Sequence, residues 1–306
     1  MGRRPRNTDP HYAKLITIRT ENARLLLLPE AQLNQIVGRV IAKYQEWFSI
    51  VIFAYAVLGN HLHILARAPR KNLWRFEQAV NREIAKRVNR LRNRRGHFWE
   101  RRYDEQMAAE ESDIIEAFLY VICNAVSHGL VEHPALWPGL NCYSHVFDEK
   151  DRVFTFTNFT AYNRCKATKT GKRVSLRDFQ TEHRLQLTPL PQFEHLSPEE
   201  RRVVISKLIS QRILRLKHER KVQGLGFLGR EVIMRQRFTD VPRHVKRLPK
   251  PICYTKSWEA KQRFMQWFLP WVEMYREASR RFRSGDFLVR FPDNCLMPPC
   301  HYSPPI

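Results

Sequence analysis

His61 and His63 stand one residue apart, with Leu62 between them, after an apolar run over residues 51–57. In an extended chain, side chains at i and i+2 point to the same face. A strand here would aim two imidazoles side by side and turn Leu62 the other way. Neutral imidazole is a good ligand for a divalent metal. The plainer alternative is two ordinary histidines at a strand start. Further along, Tyr120 and Asn124 are four residues apart, so a helix would put both on one side, about 6 Å apart. A tyrosine so placed is either a half-buried helix residue or a nucleophile. As a nucleophile its phenol, with an ordinary pKa near ~10, needs a metal and nearby cations to favour the phenolate. Together these residue types make a phosphodiester-cleaving set. A divalent ion on His61, His63 and Asn124 would polarise a scissile phosphate, and Tyr120 would attack it.

Two rival motifs fail on context. Gly224, Gly226 and Gly229 spell G-x-G-x-x-G. A dinucleotide site needs a strand before that motif and an acid about 20 residues after it. Here a basic helix pattern precedes it, and Arg243, His244, Lys246, Arg247 and Pro249 follow. A histidine-triad hydrolase needs a third alternating histidine, but Leu65 and Gly59 occupy the two candidate positions.

The 306-residue chain carries 53 Lys and Arg against 30 Asp and Glu, a formal charge of +23, which points to a polyanionic partner, most often nucleic acid. Hydrophobic residues at 43% suffice for a core and exclude a disordered chain. No long uncharged apolar run is present, so neither a transmembrane helix nor a membrane partner is expected. The basic N-terminus lacks the apolar core of a signal peptide. Cys123, Cys142, Cys165, Cys253, Cys295 and Cys300 contain no C-x-x-C and read as reduced thiols of a cytoplasmic protein, not as a structural zinc site.

The elements that would position these residues follow from periodicity. Alternation over residues 12–20 predicts a strand, and apolar steps of three and four over 30–48 predict an amphipathic helix. Residues 49–57 read as a central strand, Gly59-Asn60 as a turn, and 61–68 as a third strand hairpinned to the second. Residues 71–95 form a helix whose polar face holds Arg82, Lys86, Arg90, Arg94 and Arg95. Glu77 and Glu83 are too few to neutralise that face, so it is a candidate phosphate contact. Residues 96–107 read as extended. Trp99, Arg101, Arg102 and Tyr103 interleave aromatic and basic side chains there, either for stacking and phosphate binding or with Phe98 and Trp99 in the core. Ser112 or Asp113 would cap the next helix, with Glu116 at capping-box spacing, and Gly129 would end it. The order predicts an α+β fold, an antiparallel sheet with flanking helices, over residues 1–150. Residues 151–195 look irregular. Helices then start at Ser197 and span 258–283 with a kink at Pro270, before a Pro-rich tail. Residues 151–306 thus form a basic, mainly helical accessory domain.

LGNHLHIL resembles the His-hydrophobic-His motif of HUH single-tyrosine transposases. GHFWERRY and FLYVICNAVSHGLVEHPALWP resemble later blocks of the same family. The three blocks occur in order within residues 10–145 and are most similar to the REP-associated tyrosine transposase subgroup. The resemblance implies an HUH, ferredoxin-like palm that works on single-stranded or hairpin DNA in the bacterial cytosol or nucleoid. It implies Mg or Mn held by His61, His63 and Asn124, and a 5′-phosphotyrosine on Tyr120. A homodimer stays open, since such a tyrosine serves its own or a partner's site. Gly59 and Ala125 stand where the family motif has proline. Ala125 also leaves room for a domesticated relative that binds structured single-stranded DNA or RNA without cutting it.

Overall fold

The computed structural model describes residues 5–148, 150–168, 174–242 and 251–298. In chain order the elements are β1 (Lys14–Arg19), α1 (Ala31–Phe48), β2 (Val51–Leu58), β3 (His61–Arg67), α2 (Leu73–Leu91), β4 (Asp104–Ala108), α3 (Glu111–Ile122) and α4 (Asn124–Ser127). There follow α5 (Tyr143–Asp148), β5 (Arg152–Thr157), α6 (Phe159–Thr168), β6 (Gln180–Leu185), α7 (Pro198–Val222), α8 (Arg230–Arg235), β7 (Cys253–Tyr254) and α9 (Trp258–Arg283).

The main sheet has the order β2-β3-β1-β4-β7. Its first four strands are antiparallel, as the hydrophobic pattern predicts. β7 then joins β4 in parallel, pairing Met107 with Cys253 and Ala108 with Tyr254. β2 and β3 form the expected hairpin, with Leu58 opposite His61 across the Gly59-Asn60 turn. β1 and β2 both pair antiparallel with β3, so they are parallel to each other, and α1 is a crossover between them. α2 likewise connects β3 to the parallel strand β4 across β1. Crossovers are right-handed, and these two run in opposite directions from oppositely directed strands. Both helices therefore cover one face, where they pack on each other. α3 packs on β2, β3 and β4 from the other side.

Residues 151–195 are more regular than their polarity suggests. RVFTFT alternates, burying Phe154 and Phe156 and exposing Val153, and pairs with β6 as a hairpin against α1. Its partner β6, QTEHRL, is polar at every position but the last and carries no such alternation. The core runs across residue 150: Phe154, Leu185, Leu190, Ile205 and Ile209 belong to the same cluster as Ile64 and Phe76. α7 starts on Ser197 with Pro198 in its first turn and a reciprocal bond pair between Ser197 and Glu200, as the S-P-E-E signature requires. α9 continues through Pro270. The tail beyond 298, Cys300 and the basic run from Arg243 to Pro249 lie outside the described residues.

The start of α3 differs from expectation. Glu110 is the cap and exchanges hydrogen bonds with Asp113, three positions earlier than the predicted box from Asp113 to Glu116. Glu116 is not part of a cap because it is drawn into ion pairs with Arg212 of α7 and Lys256. None of the described helices is long and apolar enough to cross a membrane.

Candidate functional site

His61 and His63 share one face of β3, as the two-residue period requires, with ring centroids 4.8 Å apart. Each ring is held from behind through Nδ1. The register of β1 against β3 sets Thr17 opposite His63, and Thr17 Oγ1 lies 2.9 Å from His63 Nδ1. Asn60 Oδ1 lies 2.6 Å from His61 Nδ1. The Asn60 amide nitrogen donates to the Ala23 carbonyl at 3.1 Å, which leaves its oxygen to face the ring. An amide oxygen only accepts, so His61 carries a proton on Nδ1.

The helix after β4 brings the other half. Its regular turns break at Cys123, yet the bonds from Cys123 N to Leu119 O (3.0 Å) and from His128 N to Asn124 O (3.1 Å) keep α3 and α4 nearly in line. Gly129, with φ +67°, then ends the run, and Leu130 N bonds back to Ala125 O at 2.9 Å. Residues 120, 124 and 128 consequently follow one another across the histidine face. The Tyr120 ring stands edge-on to His63 at 5.2 Å between centroids. Asn124 Oδ1 is 3.2 Å from His61 Nε2, and the His128 ring is 5.4 Å from that of His61.

The contact between Asn124 and His61 has a chemical consequence. With the proton on Nδ1, the neutral ring presents a lone pair at Nε2 to a second acceptor. A ring proton or a cation shared by both atoms makes this contact favourable, and so does a turn of the amide that sets Nδ2–H toward Nε2. Among the described residues no three His, Cys, Asp or Glu side chains gather as a metal site; beside the two imidazoles, the Asn124 amide oxygen could serve a metal as third protein ligand. Two imidazole nitrogens and one amide oxygen fit a divalent ion of intermediate hardness. His61, His63 and Asn124 are all buried, whereas Tyr120 is half-buried and packs at the edge of the core.

Burial pushes the Tyr120 phenol above its usual pKa, opposed by the Asn124 side chain and by the charge of Arg19. The same Arg19, with Arg220, adds to burial in lowering the pKa of His128. Tyr254 of β7 lies 6.1 Å from Tyr120, ring to ring, and its hydroxyl donates to the Glu116 carbonyl at 3.4 Å. A cavity of about 770 Å³ opens beside His61 and His128. Arg19, Trp137, Arg220 and the segment from Gly226 to Pro242 line it, and Leu228 N is tied to Gly129 O at 2.8 Å.

The predicted phosphate-binding residues do not converge on this cavity. Arg82, Lys86, Arg90 and Arg95 are exposed on or just after α2. Arg94 is half-buried and held by Glu21 at 2.8 Å and by the Asn89 side-chain oxygen at 3.0 Å, so it ties α2 to the loop after β1. Arg101 pairs with Asp104 at 3.0 Å, and Arg102 lies over the edge of Tyr103. The interleaved aromatics serve the core. Phe98 and Tyr103 are buried, and the Trp99 indole donates to the Asn81 carbonyl at 2.9 Å. Thr17, Arg19, Asn60, His128 and Tyr254 also surround the site. His128 continues the four-residue stripe of Tyr120 and Asn124, and Thr17 follows once the β1/β3 register is known. Tyr254, more than a hundred residues later, has no local signal.

The chain thus carries paired histidines on one strand of a five-stranded sheet with helices on both faces, the α+β layout that its sequence predicts. Its first half resembles REP-associated tyrosine transposases. A Haemophilus influenzae protein described as a REP-associated tyrosine transposase is 25% identical over 104 residues, 30% of this chain and 59% of that one. The chain thus spans little more than half the length of that relative. No family model matches. Among solved structures, a REP-associated tyrosine transposase bound to a REP hairpin has a TM-score of 0.41 and 22% identity, covering 48% of this chain and 86% of that one. A Deinococcus radiodurans protein described as a transposase has a TM-score of 0.27 and 13% identity, covering 33% of this chain and 81% of that one.

Proposed function

We propose that this chain is a transposase that cuts and rejoins single-stranded DNA next to a hairpin, with Tyr120 as nucleophile. The observation that carries the reading is the meeting of the Tyr120 ring with His63 and of Asn124 with His61 within one chain. On this reading the tyrosine serves the histidines of its own subunit. His61, His63 and Asn124 would hold Mg or Mn, which when bound polarises the scissile phosphate and offsets the charge that builds on it.

The remaining roles fall to the protein. Thr17 and Asn60 fix the two rings through Nδ1 and leave both Nε2 atoms turned to the site. Tyr120 Oη forms a bond to phosphorus and loses its proton to solvent, while the bond from phosphorus to the 3′ oxygen breaks. That oxygen takes up a proton and leaves as a free 3′-hydroxyl. The 5′ phosphate stays on the tyrosine as an ester, and the reverse attack by a hydroxyl rejoins a strand. Arg19 favours the phenolate against the burial that opposes it.

The test is to incubate the full chain with an end-labelled hairpin bearing single-stranded flanks, with and without Mn. The proposal expects a metal-dependent nick and a covalent protein–DNA species, both lost in Tyr120→Phe. Cleavage that persists unchanged in that variant overturns it. Tight, salt-sensitive binding with no nick on any hairpin favours the domesticated binder instead.

A further inference from the structure

A second cation-rich groove lies on the other face of the sheet. α1 supplies Arg39 and Lys43, α2 supplies Lys86, Arg87 and Arg90, and the start of the appended region supplies Phe156 and Phe159. It encloses about 580 Å³ and shares no lining residue with the cavity at His61. Glu83 is the single acid among its lining residues, and it is taken up by Arg87 at 2.6 Å. The floor is built: Lys43 Nζ sits 3.7 Å and the Arg87 guanidinium carbon 4.3 Å from the centroid of buried Phe156. Arg87 also donates to the Thr157 carbonyl at 3.0 Å, which locks the β5 end to α2. At the rim Phe159 is 38% exposed, with Arg87 and Arg90 each 5.7 Å from its ring. Burial and then the Arg87 charge lower the pKa of Arg39; burial lowers that of Lys43, where Glu83 opposes the shift and Arg87 adds to it.

We infer that this groove binds a single-stranded nucleic acid segment, with phosphates on Arg39, Lys86 and Arg90 and a base on Phe159. Cations spaced along a concave track beside an exposed ring suit one strand, whose bases can turn out to stack. A duplex keeps its bases inside and offers none to stack on Phe159. The choice of nucleic acid over another polyanion rests on the proposed action on DNA. The binding itself does not depend on cleavage.

The test uses the full chain in a Tyr120→Phe background without metal, so that no cutting intervenes. Probes are labelled 20-mer oligothymidylate, an abasic strand of the same length, a duplex, and tripolyphosphate as competitor. Combined Arg39→Gln, Lys86→Gln and Arg90→Gln should weaken oligothymidylate binding at least ~10-fold and reduce the slope of log K against log salt by about 2, near 0.7 per phosphate contact. Phe159→Ala should weaken oligothymidylate ~5-fold or more and leave the abasic strand unchanged, since stacking needs a base. The inference is overturned if the triple variant binds with unchanged affinity and slope. It is also overturned if Phe159→Ala affects both strands alike, if duplex binds as tightly as single strand and loses as much, or if tripolyphosphate at matched charge competes as well as the oligonucleotide. Nicking of a short hairpin in the Tyr120 background by the triple variant, at the parent rate, separates this groove from the cleavage reading.

Discussion

His61 Nε2 and Asn124 Oδ1 meet at 3.2 Å and join β3 to the helix break after α3 across 63 positions of chain. With the Asn124 amide oxygen facing Nε2, a positive centre between the two atoms would hold the pair. On the proposed reading that centre is a divalent cation, so Asn124 should set metal affinity directly. Asn124→Asp should tighten Mn binding about tenfold, and Asn124→Leu should weaken it at least as much, in calorimetric titrations of the full chain. Equal affinity in all three proteins would remove Asn124 from the ligand set.

Thr17 acts on the metal only through His63. Its hydroxyl, 2.9 Å from Nδ1, holds the ring in place. Thr17→Val keeps the shape of this β-branched strand residue and removes the hydrogen bond. It should cost about 10- to 100-fold in Mn affinity, the usual range for such partners. Thermal stability should barely move. Unchanged affinity would show that the strand alone orients the imidazole.

Glu77 offers a test of the core that is independent of the site. It is buried in α2, accepts a hydrogen bond from Asn81 at 2.9 Å, and its carboxyl is pushed up to about 7 by burial. In the unfolded chain the group ionises near 4.5. Between these values the folded state holds the extra proton, so stability falls as pH rises from 4.5 toward 7 and then levels. The expected loss is of the order of 3 kcal/mol. Glu77→Gln should flatten that decline and leave the variant the more stable protein at pH 8. Parallel urea midpoints for the two proteins across pH 4.5–8 would contradict this.

Much of this was open to reading in the chain itself. The two-residue period of β3 and the four-residue step from Tyr120 to Asn124 follow from local geometry, and both survive because the core face of each element leaves one register. Three things resisted. In the β5/β6 hairpin, β6 is polar at every position but the last and carries no alternation. Glu116 looked like a capping residue, but its partners Arg212 and Lys256 come from distant elements. The basic side chains formed one face of α2 by pattern, yet Arg94 is claimed by Glu21, whereas Lys86, Arg87 and Arg90 reach the groove with Phe159. Long-range charge pairing and added strands are tertiary events that no short window records.

Gly38 is the point where the appended hairpin presses on α1. A Cβ there would lie 2.3 Å from the ring of Phe154, which is itself buried. Gly38→Ala gains helix propensity, but the ring must shift out of a filled core. Overpacking of this kind costs about 1–3 kcal/mol, which exceeds the propensity gain of up to about 1 kcal/mol. Denaturant unfolding should show a net loss of stability, and a stabilised variant would mean that the hairpin is free to move away from α1.

The central claim is that the phenol of Tyr120 receives the cut strand. The most direct measurement is to digest the covalent protein–DNA species formed with Mn and a labelled hairpin, and to locate the modified residue by mass spectrometry. The account predicts a 5′-nucleotide adduct on the peptide that contains Tyr120, absent when His61→Ala and His63→Ala are combined. An adduct on Tyr254 or on any other residue, with the Tyr120 peptide unmodified, would contradict it.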